Sequence, residues 1–164
     1  MAALTPGISA PDFTISDMHG KPFSLREARN HGPVVLAFFK VSCPTCQYAF
    51  PYLERIYQAH QGANLTLVGI SQNDKKDTAE FNRKFGITFP VLLDDTRSYL
   101  VSNSYGLTNV PTIYWIGSTG EIELSSVGWA RQDIEQIIAN AGSLGPEAIP
   151  VFRAGEEVAD FRAA

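Results

Sequence analysis

Cysteine is nearly absent from this chain of 164 residues, and its two cysteines stand together as Cys43-Pro44-Thr45-Cys46. So short a loop constrains little of the unfolded chain, so no disulfide framework can staple the fold. Long apolar runs are also missing. The stretch Val34 to Phe39 is far shorter than the roughly 20 residues that cross a bilayer, which excludes a membrane span there. Basic residues are outnumbered, thirteen against seventeen acidic ones, for a net charge of −4. A nucleic-acid partner would call for a clustered basic face, and none is visible. The three histidines, His19, His31 and His60, show no paired spacing and read as surface residues, so a zinc site has no second half. No glycine-rich phosphate loop is recognisable, and no metal, nucleotide or flavin cofactor is implied. The opening Met-Ala-Ala-Leu-Thr-Pro-Gly-Ile has neither a basic segment nor a signal-length apolar stretch. The expected location is therefore cytoplasmic, or periplasmic if an export signal has been removed.

What is present is an ordinary globular composition, 45% hydrophobic and 18% charged, long enough for one domain with a substantial core. Residues 10–25 read as a β-hairpin, with Phe13-Thr14-Ile15 and Pro22-Phe23-Ser24-Leu25 flanking turn residues Asp17 to Gly20. Val34 to Phe39 fits a central strand buried on both faces. From Pro44 the pattern turns helical: Phe50, Leu53, Ile56, Tyr57 and His60 recur at three- and four-residue steps, with a stop at Gly62. Pro44 suits the first turn, whereas Pro51 predicts a kink. Leu65 to Ile70 is a second buried strand, followed by a helix from about Asp77 to Phe85, a short strand Val91-Leu92-Leu93 and a short helix from Thr96 to Tyr105. Thr112 to Ile116 and Glu121 to Val127 form a hairpin around Gly117-Ser118-Thr119-Gly120. A last helix places Ile134, Ile137, Ile138 and Ala141 on one face and stops at Gly142. Strands alternating with helices, then an antiparallel pair, indicate an α/β fold with a mixed sheet. The domain is expected over 1–142. Gly145-Pro146, Pro150 and Gly155 punctuate an extension over 143–164 that either lies on the domain or frays.

The apolar strand running into Cys-x-x-Cys, with a helix after it, is a thioredoxin-type redox arrangement. The thiolate is the nucleophile of disulfide exchange. If Cys43 caps the helix opening at Pro44, unpaired N–H groups and the helix dipole favour its anion. Cys46 lies one turn in, more covered, and is the natural resolving thiol. Lys40 can add to this stabilisation if its ammonium reaches the site; a solvated lysine at a strand end is the alternative. Val110-Pro111-Thr112 opens the later hairpin, and Pro111 is expected to follow a cis bond. It would leave the Val110 backbone to hydrogen-bond an extended substrate by strand addition. An ordinary trans proline starting an edge strand is the alternative.

With these residues in place the chain resembles the redoxin branch of the thioredoxin superfamily, which includes TlpA-like thiol–disulfide oxidoreductases and alkyl hydroperoxide reductase/thiol-specific antioxidant proteins. The matching pieces run from about Pro6 to Gly142. They are Ala10-Pro11-Asp12-Phe13, His19-Gly20-Lys21, the strand into Cys43-Pro44-Thr45-Cys46, Pro51-Tyr52-Leu53, Val68-Gly69-Ile70-Ser71, Phe89-Pro90-Val91, and Tyr105-Gly106 through Val110-Pro111-Thr112. The resemblance implies a thioredoxin fold, a mixed central sheet flanked by helices with an N-terminal β-hairpin and an inserted strand–helix unit. It implies Cys43 as attacking thiol, Cys46 as resolving thiol, and Val110-Pro111 as the substrate-facing turn. The partners implied are a disulfide-containing protein or small molecule and an external thiol electron donor, with no nucleic acid and no membrane.

Three positions depart from that pattern: Ser42 stands where Trp is usual, Ala37 where relatives bury an acid or amide, and Ala49 where TlpA-like reductases often carry Glu. Proton transfer at Cys46 then needs another group or water, and Glu54 is too far along the helix to be assumed. A peroxiredoxin-like peroxide reductase is the enzymatic alternative. Its Thr or Ser three residues before the reactive cysteine, and Pro four before that, are Lys40 and Leu36 counted from Cys43, and Cys43 and Phe39 counted from Cys46. A non-catalytic redox-sensing module is the third reading, with the extension after Gly142 as its partner surface. Direction as reductant or oxidant depends on the reduction potential and is not written in the motif.

Overall fold

The β-branched and aromatic run Val34–Phe39 becomes the middle strand of the molecule, buried at every position. A computed structural model describes residues 2–145 and 150–164. In chain order it contains β1 (Thr14–Ser16), β2 (Pro22–Ser24), α1 (Leu25–Arg29), β3 (Val34–Phe39), α2 (Pro44–Ala59), β4 (Thr66–Ser71), α3 (Lys75–Phe85), β5 (Val91–Leu93), α4 (Leu100–Ser104), β6 (Thr112–Ile116), β7 (Ile122–Val127), β8 (Trp129–Ala130), α5 (Arg131–Gly142) and β9 (Phe161–Arg162). Five strands form the central sheet in the order β5-β4-β3-β6-β7. β3 is parallel to β4 and antiparallel to β6, which makes the sheet mixed. β1 and β2 pair as the expected hairpin.

Alternation along β3 sorts the core into two layers, because successive side chains point to opposite faces. Val35, Ala37 and Phe39 face Phe50, Leu53 and Ile56 of α2, Phe81 of α3, and Ile134, Ile137 and Ala141 of α5. Val34, Leu36 and Phe38 face Leu25 of α1, Val101 of α4, Tyr105 and Tyr114. Gly69 on β4 leaves room for the aromatic layer: a Cβ there would sit 3.2 Å from Phe89 and 3.3 Å from Phe50.

Several boundaries differ from the sequence reading for local reasons. α1 follows β2 directly, because Ser24 accepts a hydrogen bond from the Glu27 N–H and starts a helix. α3 begins earlier than Asp77, because Asp74 caps it by accepting from the Asp77 N–H. The expected Thr96–Tyr105 helix shrinks to Leu100–Ser104. The Asp95 carboxylate accepts from the Arg97 and Ser98 N–H groups in a turn, and Tyr99 adopts a left-handed φ of 49°. α2 is continuous through Pro51. Pro146 of the expected extension lies outside the described residues, but 150–164 rest on the domain: Val151 is buried and β9 pairs with β8. That last pairing had no sequence signal.

Candidate active site

β3 ends at Phe39, and the turn Lys40–Ser42 carries the chain to the start of α2. The turn is held from both sides. The Val41 N–H donates to Asn73 Oδ1 at 2.9 Å, and Gln47 Nε2 donates to the Val41 carbonyl at 2.9 Å. Cys43 is then the N-cap of α2, in extended conformation, with Pro44 in the first turn. Its sulfur accepts from the Cys46 N–H at 3.0 Å, taking the capping role that Ser or Asp oxygens usually fill. A negative charge on that sulfur is met by this N–H and by the positive end of the helix dipole.

Antiparallel register brings the second half of the site to the first. Thr112 sits opposite Phe38, so the residues before Thr112 lie beside those after Phe39. The Val110–Pro111 bond is cis, and the Cys43 thiol donates to the Val110 carbonyl at 3.5 Å. All four residues singled out in the sequence, Cys43, Cys46, Val110 and Pro111, thus meet in one place.

The two thiols differ in their surroundings. Cys43 is half-buried, with exposed residues on either side, while Cys46 is fully buried. Burial pushes the Cys46 thiol well above the ordinary cysteine range, and its bond with Cys43 pushes it further; a backbone hydrogen bond involving Lys40 works the other way. Cys46 therefore holds its proton at neutral pH, and half-buried Cys43 is the more accessible of the two sulfurs.

Beside the dithiol lies a polar cavity of about 190 Å³, lined by Lys40, Gln72, Tyr99, Ser102, Asn109 and Val110. Its floor is organised by buried Asp94, whose carboxylate accepts from the Val101 N–H, the Ser102 N–H and the Ser102 hydroxyl. Sequence reading passed over Asp94 and Gln47, whose partners lie six to eight residues away, and Asn73, whose partner Val41 is 32 residues away.

Ser42 is exposed beside the sulfur, and Ala37 and Ala49 are fully buried. Neither alanine offers Cys46 a proton acceptor. Glu54 is committed elsewhere: it accepts from the Thr88 N–H at 2.7 Å, the Thr88 hydroxyl at 2.6 Å and the Phe89 N–H at 3.2 Å. His60 departs from its expected surface position. It is buried at the far C-terminal cap of α2, its Nε2 has no partner among the described residues, and burial holds its pKa below the ordinary value.

Thr45 has a role that the motif did not reveal. Its hydroxyl donates to the Ala163 carbonyl at 2.6 Å, tying the redox motif to the last residues of the sequence.

Among known proteins, residues 6–125 match the AhpC/TSA family. The thiol-disulfide oxidoreductase ResA of Geobacillus thermodenitrificans is 32% identical over 136 residues, covering 82% of this chain and 76% of that protein. The thioredoxin domain of a thiol-disulfide oxidoreductase from Bacteroides vulgatus superimposes with a TM-score of 0.75 at 22% identity, covering 84% of this chain and 98% of that one. A secreted Mycobacterium tuberculosis disulfide oxidoreductase, described as homologous to Escherichia coli DsbE, gives a TM-score of 0.64 at 23% identity over 80% of this chain and 96% of its own. With the mixed sheet, the dithiol at a helix start and the hairpin before it, the chain belongs to the AhpC/TSA family of thioredoxin-like redoxins.

Proposed function

We propose that the chain is a thiol–disulfide oxidoreductase in which Cys43 attacks and Cys46 resolves. The observation that carries this is the asymmetric dithiol, one sulfur half-exposed at a helix start and the other buried and protonated beneath it. The similarity to ResA supports the same activity. The Cys43 thiolate attacks one sulfur of a substrate disulfide, the substrate S–S bond breaks, and one thiolate leaves. Cys46 then loses its proton and attacks the Cys43 sulfur, releasing the second substrate thiolate and leaving a Cys43–Cys46 disulfide. Two electrons pass to the substrate, and the two protons of the dithiol balance its two new thiols. An external thiol donor restores the dithiol.

Val110 and Pro111 present the substrate. While Cys43 is a thiol, its S–H occupies the Val110 carbonyl. Ionisation frees that carbonyl to accept a hydrogen bond from a polypeptide N–H as the sulfur becomes reactive. Substrates are disulfides of proteins or small molecules as a class.

A peroxide-reducing reading has less support. The described polar neighbours of the Cys43 sulfur are the Cys46 N–H and the Val110 carbonyl, and no Ser or Thr hydroxyl is bonded to it among the described residues.

No helix among the described residues is long and apolar enough to cross a membrane. A cytoplasmic location gains nothing from the relatives. The secreted character of the M. tuberculosis protein favours the periplasmic alternative.

The test is reduction of insulin with dithiothreitol as donor. Turnover is expected from the native chain and none from Cys43→Ser, while Cys46→Ser should accumulate a mixed disulfide. Full activity in Cys43→Ser would refute the assignment.

A further inference from the structure

Residues 150–164 return to the face that carries the dithiol, and they are held there in two different ways. Up to Ala159 the hold comes mainly from side chains. Val151 is buried, Phe152 meets Tyr52 edge to face at 5.5 Å, and Glu156 makes a two-point pair with Arg55 at 2.7 and 2.9 Å. At Ala159 two aromatic side chains clasp the backbone: Trp129 Nε1 donates to its carbonyl at 2.6 Å, and its N–H donates to the Tyr48 hydroxyl at 2.9 Å.

Beyond Ala159 every residue is exposed, and the hold passes to the main chain. The Arg131 N–H donates to the Asp160 carbonyl at 2.9 Å, Phe161 and Arg162 pair antiparallel with Ala130 and Trp129, and Thr45 donates to the Ala163 carbonyl. One side-chain contact joins them, the Arg162 guanidinium lying 4.0 Å over the Tyr48 ring.

These contacts converge on the surroundings of Cys43. Thr45 lies between the two cysteines. Gly128 donates to the Pro111 carbonyl at 2.8 Å, and a Cβ on Gly128 would meet the Arg162 carbonyl at 2.6 Å and the Ala164 nitrogen at 3.0 Å. The last residues thus touch Thr45 of the redox motif on one side and Gly128, which is bonded to the cis-proline turn, on the other, while pairing along β8.

We propose that Phe161–Ala164 is a built-in specificity gate: it occupies the strand-docking edge beside the dithiol, so disulfides carried on extended polypeptide must displace it, while small disulfides reach Cys43 past it. This rests on the oxidoreductase reading above. Main-chain bonding suits such a gate, because a substrate backbone can replace it without matching a side chain. The exposed side chains of 160–164 lose little when they leave. The clasp at Ala159 keeps the displaced gate tethered, so it returns from a high effective concentration.

The experiment compares the 164-residue chain with one ending at Asp160, each assayed on two substrates. One is the symmetric disulfide of an unstructured peptide of about ten residues with a central cysteine; the other is bis(2-hydroxyethyl) disulfide. If the gate is open about one-fifth of the time, its removal raises kcat/KM for the peptide about fivefold and leaves the small disulfide within about twofold. The Arg162→Ala variant of the 164-residue chain should shift in the same direction, by about twofold, and decides the matter if the shortened chain fails to fold. Equal changes on both substrates, or none on the peptide, overturn the gate. If the intact protein reduces neither disulfide, the oxidoreductase reading itself fails, a result separable from equal activity on both.

Discussion

Gly128→Ala tests the docking of the last residues without touching a thiol. Gly128 has a φ of +79°, and the space above it is filled by the backbone of Arg162 and Ala164 at 2.6 and 3.0 Å. Two costs follow. A left-handed non-glycine residue costs roughly 1–2 kcal/mol wherever it stands. The new Cβ also collides, and the cheapest relief is to lift Phe161–Ala164 off the edge of β8. That relief forfeits roughly four hydrogen bonds worth about 0.5–1.5 kcal/mol each. It returns the ordering entropy of four exposed residues, at about 1 kcal/mol apiece. The net docking free energy is thus no more than about 2 kcal/mol, small enough for a displaceable gate. Gly7 supplies the control, since its φ is +96° and a Cβ there meets nothing within 4 Å. Urea unfolding of a double-mutant cycle reads the difference. In the 164-residue chain Gly128→Ala should cost up to about 1 kcal/mol more than it does in a chain ending at Asp160, the docking free energy of a gate open about one-fifth of the time, whereas Gly7→Ala should cost the same in both. Costs for Gly128→Ala that agree within about 0.3 kcal/mol in the two backgrounds would refute the docking and the reasoning built on it.

Glu54→Ala should destabilise the fold by about 1–3 kcal/mol, because it strips acceptors from the Thr88 and Phe89 N–H groups, while insulin reduction stays unchanged; a large activity loss in folded protein would bring Glu54 back to the dithiol. The Arg55–Glu156 pair makes the anchor of residues 150–159 sensitive to acid. Its hydrogen bonds with Arg55 hold the Glu156 carboxyl down at about 2, against an ordinary 4.5. A lowered folded-state pKa stabilises above the unfolded value, so the contribution is complete above about pH 4.5 and is lost as the pH falls toward 2. Amide protection in 150–159, measured against the intrinsic exchange rate at each pH, should fall across that window in the native chain, and Glu156→Gln should flatten the dependence.

Much of the fold was legible because its signals are local. Val34–Phe39 had to be an interior strand, since no other placement buries six consecutive apolar side chains, and Cys43-Pro44-Thr45-Cys46 had to open a helix for its own backbone reasons. That Val110 and Pro111 would face the motif was also expected, from the resemblance to redoxins, and the antiparallel register of β6 beside β3 is what brings them there. Other features depended on contacts far apart in sequence. Glu54 could be set aside only when its partners proved to be Thr88 and Phe89, and His60 read as a surface residue until packing enclosed it.

By itself, then, the sequence determined the α/β architecture and a reactive thiol pair at a helix start, because periodicity, caps and a four-residue spacing act over a few residues. The tertiary structure alone decided how unequal the two thiols are, since desolvation depends on everything packed around a sulfur. It also decided where the last residues lie. A main-chain pairing between Phe161 and Ala130, or a hydroxyl bond from Thr45 to Ala163, needs no particular side chain on the docked strand and so leaves no mark in a single sequence.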